Sequence, residues 1–198
     1  MWYCAFLYGV NIPGGRKIGM TSLPSLLSSL ASGFQYQRSV RNSGNLLFAG
    51  PPQAAKRLPV VIRNVLGVEC VVRTLSDLQI CLQKVSQILG LPPPSRIQRN
   101  DAIWEVGMVF LSDPLPNGSP DSVWRYSRKN AQSLCLLDPG TVLVLKRKVT
   151  SNGSRIMWGM TVLDPLQRQM QEQRVSMECL TSRSLGIIQM IVNRANRP

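Results

Sequence analysis

Residues Tyr8-Gly9-Val10-Asn11-Ile12-Pro13-Gly14-Gly15-Arg16-Lys17-Ile18-Gly19-Met20 constrain this chain more than any other stretch. Before them stands an apolar segment, Trp2 to Leu7; after them leucines recur at 23, 26, 27 and 30. The pattern is a strand, a glycine-rich turn carrying two cations, and a helix. Such a turn can aim backbone N–H groups at an anion, and the helix N-terminus adds its positive dipole end. A second segment of the same kind, Arg41-Asn42-Ser43-Gly44-Asn45, lies between two short apolar runs. Neither loop specifies a reaction.

Charge sharpens this reading. The 198 residues carry a net charge of +13, and the first 68 contain no Asp or Glu. Those 68 hold Arg16, Lys17, Arg38, Arg41, Lys56, Arg57 and Arg63. A half without carboxylates presents an uninterrupted positive field to phosphates or acidic partners. Incidental basicity is the competing explanation. Histidine is absent, which removes His-based triads, Cys–His dyads and imidazole metal sites. The five cysteines, at 4, 70, 81, 135 and 179, form no C-x-x-C pair and read as reduced, mostly buried thiols. No metal or cofactor is expected. No apolar run approaches the ~20 residues that span a bilayer, and no signal peptide is evident, so a cytoplasmic protein is expected.

Along the chain, strands are expected at Trp2 to Gly9, Gln35 to Arg41, Leu46 to Ala49 and Val68 to Arg73. Helices are expected between Thr21 and Gly33 and over 53–66, where Pro59 either kinks the helix or marks a later start. Strand, helix, strand, strand, helix, strand is the ferredoxin-like, or split βαβ, order. An amphipathic helix follows, with Leu75, Leu78, Leu82, Val85 and Leu89 on one face. The proline-rich stretch 90–101 is the expected boundary between an N-terminal ferredoxin-like subdomain with its linking helix (1–90) and a C-terminal α+β subdomain (91–198). There a strand is expected over 103–111 and helix over 121–132. A hairpin of 141–149 with 155–162 and a final helix over 184–195 complete it. No internal repeat is strong enough to name, although the second half remains open to being a degenerate copy of the first.

The two opening loops resemble those of the bacterial family known as domain of unknown function 1697. Its members begin with a strand reading A-L-L-R-G-I-N-V-G-G, then K-x-K-I-x-M and a Leu-rich helix, followed by Y-x-Q-S-G-N-V-V-F. Matching residues here are Gly9, Val10, Asn11, Ile12, Gly14, Gly15, Lys17, Ile18 and Met20, then Ser43, Gly44, Asn45 and Phe48. Val71-Val72-Arg73-Thr74 resembles the family's V-V-R-T, and Thr181-Ser182-Arg183-Ser184 its C-terminal T-T-R-N. Tyr8, Asn42 and Leu185 depart from the pattern. The resemblance implies an α+β fold of two ferredoxin-like halves, with antiparallel or mixed sheets and helices on one face; it implies no reaction.

Candidate ligand or anion residues are therefore Asn11, Gly14, Gly15, Arg16, Lys17, Arg41, Asn42, Ser43, Gly44 and Asn45. Candidate nucleic-acid contacts are Arg38, Arg125, Arg128, Lys129, Lys146, Arg147 and Lys148. Trp124-Arg125-Tyr126 interleaves aromatics with cations, in the style of a single-strand stacking surface. Lys146-Arg147-Lys148 stands at a strand end, either as a phosphate-contacting edge or as charge that guards an edge strand. Each turn also reads as plain turn chemistry. The glycines fail the Walker pattern, since Gly15 stands where it requires Lys. The leading expectation is a non-catalytic protein that binds a polyanion, above all nucleic acid. A site for a phosphorylated or nucleotide ligand, with or without catalysis, and a self-assembly module are the alternatives; the oligomeric state is not legible.

Overall fold

The first sheet forms around β1 (Trp2–Leu7), a strand with neighbours on both sides. The computed structural model describes residues 1–11, 14–21, 23, 33–41, 43–90, 96–99, 102–115, 125–127, 132–147 and 180–195. The sheet order is β2-β3-β1-β4, with β2 at Gln35–Ser39, β3 at Asn45–Ala49 and β4 at Cys70–Thr74. Every pairing in it is antiparallel. Cys4, Ala5, Phe6 and Leu7 are all buried, so β1 reads as a continuous apolar run instead of an alternating one.

One face of this sheet carries Tyr3, Ala5, Leu7, Leu46 and Phe48. It packs with Ala55, Leu58, Ile62 and Leu66 of α1 (Pro52–Leu66), and with Met20 and Leu23. Tyr3 stacks on Phe48 at 5.4 Å between centroids, and Phe34 meets Phe48 edge-on at 5.3 Å. Helix α1 is continuous through Pro59, which therefore ends nothing. Pro52 suits the first turn, where its missing N–H had no partner to lose. Gly67 stops the helix in the left-handed region, its N–H donating to the Arg63 carbonyl at 2.8 Å. Of the helix expected before residue 33, only Leu23 is described, and it is helical and buried.

Helix α2 (Leu75–Leu89) follows β4 without a loop. The Asp77 N–H donates to the Thr74 hydroxyl at 3.0 Å, and the Thr74 N–H donates back to the Asp77 carboxylate at 3.3 Å. This reciprocal cap fixes the helix start.

The second sheet has the order β10-β6-β9-β8-β7, with β5 also on β6. These strands are β5 (Arg96–Arg99), β6 (Ala102–Leu111), β7 (Arg125–Ser127), β8 (Gln132–Asp138), β9 (Thr141–Arg147) and β10 (Leu180–Ser184). All pairings are again antiparallel. Helix α3 (Leu185–Ala195) follows β10 directly. The chain divides into two compact units, Met1–Ile80 with Gln189–Pro198, and Cys81–Ile188. The far parts of α2 and α3 thus belong to the second and first units respectively.

Several expectations for the second half are corrected. Arg125–Ser127 is a strand, not helix, because it pairs with Gln132–Leu134 in a hairpin. The stretch read as a proline-rich loop contains β5, held by cross-strand pairing to β6 and by an Arg96–Glu105 ion pair of 3.6 Å. The hairpin partner of β9 is β8, through the turn at Asp138–Thr141. The segment 155–162, expected as that partner, lies outside the described residues. Strand β9 is not an edge: Lys146 lies opposite Glu105 on one side and Gln132 on the other, so guarding an exposed edge does not explain its charge.

Gly44 holds two loops of the first unit together. Its carbonyl accepts the Leu7 N–H at 2.8 Å, its φ is 73°, and a Cβ there would collide with Val10 and stand 3.0 Å from that of Leu7. Gly14, with φ 74°, has open space around it. Gly44→Ala is therefore expected to lower stability by about 2–4 kcal/mol, through overpacking plus strain. Gly14→Ala should lower it by about 1 kcal/mol, through strain alone. Urea denaturation measures both, and equal losses would remove the packing role of Gly44.

Candidate functional site

The loop after β1 is closed by its own backbone. The Arg16 N–H donates to the Gly9 carbonyl at 3.0 Å, and the Asn11 N–H donates to the Arg16 carbonyl at 2.8 Å. The Asn11 side chain adds a second clasp: its Nδ2 donates to the Ile18 carbonyl at 3.0 Å, and its Oδ1 accepts the Ile18 N–H at 2.9 Å. Gly9, Asn11 and Gly14 all take positive φ. Asparagine tolerates this region better than most side chains, which suits it to this position.

The β2–β3 turn is clasped in the same way. Asn45 is fully buried, and its Nδ2 donates to the Val40 carbonyl and the Ser43 hydroxyl, both at 2.9 Å. Arg41 has φ 61°, which is strained for a long side chain. Contact of Gly44 with Leu7 and Val10 sets this turn beside the first loop. The structure therefore brings Asn11, Gly14, Gly15, Arg16 and Lys17 into one neighbourhood with Arg41, Ser43, Gly44 and Asn45. Asn42 lies outside the described residues.

The asparagines hold this neighbourhood together from within; its outward chemistry is cationic. Arg16, Lys17 and Arg41 are exposed. Among the described residues none of them has a salt-bridge partner. The Arg16 guanidinium packs on Gly67 at the C-terminal end of α1, and that dipole end favours a cation. Glu69 is the first carboxylate of the chain, and its backbone carbonyl accepts the Tyr8 N–H at 2.8 Å. Its side chain is engaged by Arg63, with Nε to Oε1 at 2.5 Å and Nη2 to Oε2 at 2.7 Å.

The other cations are spread over both sheets. Arg38 lies in β2, at the edge of the first sheet, next to an irregularity in its pairing. Arg125, Lys146 and Arg147 are placed by backbone alone, in β7 and β9. Arg128, Lys129 and Lys148 lie outside the described residues.

A second polar cluster, in the second unit, escaped the sequence reading because its members are far apart in the chain. The Cys81 thiol donates to Asp138 Oδ2 at 3.3 Å, Asp138 Oδ1 accepts the Gly140 N–H at 2.8 Å, and Lys84 Nζ donates to the Leu137 carbonyl at 2.6 Å. Burial first, and then the neighbouring Asp138 carboxylate, push the Cys81 thiol up to about 12. Burial likewise raises Cys135. Cys4, Cys70, Cys81 and Cys135 are all buried thiols outside any disulfide. A thiol that keeps its proton is a poor nucleophile. No group of three or more potential metal ligands occurs among the described residues, and no described helix is long and apolar enough to cross a membrane.

Fold and site together define an α+β protein of two antiparallel sheets, with a pair of clasped basic loops on the first. The chain belongs to the family described as Protein of unknown function (DUF1697), whose model matches residues 1–132. The fold is similar to that of the conserved bacterial protein SP0830 from Streptococcus pneumoniae, at 15% identity, a TM-score of 0.56 and 97% coverage of each chain. No curated protein matches the chain.

The thiol carries a pH prediction. The folded Cys81 keeps its proton up to about 12, whereas the unfolded thiol releases it near 9.0. The unfolded state therefore binds fewer protons above pH 9, and this contribution to stability, complete below pH 9, is lost as pH rises toward 12. The slope is at most about 1.4 kcal/mol per pH unit. Unfolding free energies of wild type and Cys81→Ala between pH 9 and 10.5 should differ in slope by that order. Parallel curves would remove the effect.

Proposed function

We propose that this chain is a non-catalytic cytosolic binding protein whose first unit holds a polyanion, specifically nucleic acid, through the phosphate backbone. The observation that carries the proposal is the meeting of the two loops at Gly44, Leu7 and Val10, with Arg16, Lys17 and Arg41 exposed around it. The same unit carries no carboxylate before Glu69. Binding of this kind is electrostatic and weakens with salt, because the release of condensed counterions gains less entropy as bulk salt rises. The asparagine amides are engaged inside the loops, which favours contact with phosphate over reading of base edges. Little sequence preference is expected. A small phosphorylated ligand at the same loops is the competing occupant.

We also infer that both units are ferredoxin-like halves. In that topology the sheet order is fourth, first, third, second strand. Support comes from β4-β1-β3-β2 in the first unit and β10-β6-β9-β8 in the second. Helix α1 is the crossover between the third and fourth strands of the first unit.

Fluorescence anisotropy with labelled single-stranded RNA, single-stranded DNA and duplex DNA tests the binding proposal. Affinity for several unrelated sequences should fall linearly on a log–log plot against salt. Arg16→Glu with Lys17→Glu should weaken binding at least about tenfold for every sequence, since each phosphate contact contributes about one unit to the salt slope. Undiminished binding by the double variant would overturn the proposal.

Arg41→Gly separates stability from binding. Removal of a strained side chain should raise stability by about 1 kcal/mol and at the same time weaken binding. A gain in stability with unchanged affinity would take Arg41 out of the interface.

A further inference from the structure

Arg16, Arg63 and Glu69 converge on the end of α1, within the first unit. The Arg63 carbonyl accepts the Gly67 N–H at 2.8 Å, which closes the helix. The Arg16 guanidinium lies against the same Gly67, in the space a Cβ would take. Beyond Gly67, the Glu69 carbonyl accepts the Tyr8 N–H at 2.8 Å, which ties Glu69 to the start of the first loop. That loop is in turn closed by the Arg16 N–H on the Gly9 carbonyl at 3.0 Å. Direct contacts therefore place the Arg63–Glu69 pair beside the loop that carries Arg16 and Lys17.

Arg63 holds the Glu69 carboxylate with two prongs, Nε to Oε1 at 2.5 Å and Nη2 to Oε2 at 2.7 Å. A guanidinium offers a phosphate the same two-pronged geometry, so carboxylate and phosphate are rivals for one set of donors. The pair is open to water: the arginine side chain is 60% exposed and the glutamate 29%. An ion pair so exposed contributes little to stability, and its exchange for a phosphate costs correspondingly little. Arg16 and Lys17 have no salt-bridge partner among the described residues. The rivalry therefore falls on Arg63. The other described ion pair, Arg96 with Glu105, is a contact of 3.6 Å between neighbouring strands of the second unit.

We infer that Arg63 is a further phosphate-binding residue of the first unit, and that Glu69 is its built-in competitor, a carboxylate that occupies the guanidinium until a phosphate displaces it. The inference rests on the polyanion reading above. It adds to Arg16, Lys17 and Arg41 a cation reached only by exchange. A lone anion must displace Glu69 from free solution. A polyanion already held at Arg16 presents its next phosphate to Arg63 at high effective concentration, and the exchange then favours the phosphate. Glu69 thereby sets the site against small anions and in favour of chains of phosphates.

Anisotropy titrations of labelled single-stranded RNA over a salt series, with wild type, Glu69→Gln, Arg63→Gln, the double variant and Glu105→Gln, test it. Glu69→Gln should tighten binding about two- to fivefold, the range an exposed ion pair accounts for, without changing the salt slope. Arg63→Gln should weaken binding and reduce the slope by about one unit. In the double variant the gain from Glu69→Gln should vanish, leaving the affinity and slope of Arg63→Gln. Glu105→Gln changes the net charge equally and should bind as wild type does. A Glu69→Gln gain that survives in the Arg63→Gln background, or that Glu105→Gln matches, would mark a plain charge effect and overturn the inference. Wild-type affinity and slope in Arg63→Gln, while Arg16→Glu with Lys17→Glu still weakens binding, would overturn it too and leave the polyanion reading standing. Absence of binding by wild type would remove both.

Discussion

The Leu7–Gly44 hydrogen bond at 2.8 Å, with Val10 and Leu7 filling the space a side chain would need at Gly44, couples β1 to the β2–β3 turn. Remove that close approach and the two loops part. The Asn11 clasp on Ile18 and the Asn45 clasp on Val40 shape each loop separately, but neither joins one loop to the other. Glycine is needed there for space and for positive φ together. The continuous burial of β1 then transmits the constraint inward, since Leu7 belongs both to this contact and to the core under α1. A surface feature is thus anchored on a fully buried strand.

This arrangement explains which side chains remain to act. Polar groups that a sequence reading assigns to a ligand are largely consumed in holding the loops. A buried amide without partners costs about 1–3 kcal/mol, so Asn45 finds its partners inside the turn. The exposed cations carry no such obligation. The outcome is a scaffold rigid where its groups are neutral and open where they are charged, which suits an electrostatic contact better than a pocket of directed hydrogen bonds.

Much of the first unit was legible. Its strands are bounded by glycine turns, its helix α1 ends at Gly67 as the pattern predicts, and both loops stand out by composition. The second unit was read less well for physical reasons. Leu134-Cys135-Leu136-Leu137 in β8 is apolar at every position, so the sequence shows no alternation although Leu136 is only half-buried between buried Cys135 and Leu137. Arg125 to Ser127 has no apolar face to declare itself and is a strand only through its pairing with β8. At the site, the charges were visible, but the use of Asn11 and Asn45 was not. Which way an asparagine points depends on tertiary distances.

The internal correspondence was hidden for a related reason. Register conserves position, not residue type, so Asn45 against Thr141 and Cys4 against Met108 look unrelated in sequence while occupying the same places in their ladders. What both units keep is what the topology demands: a glycine carbonyl for the central strand, a buried polar residue after it, and an arginine folded onto its own strand. What they do not keep is the charge of the turn. The turns differ in length as well: four residues separate Val40 from its partner Asn45, and two separate Asp138 from its partner Thr141.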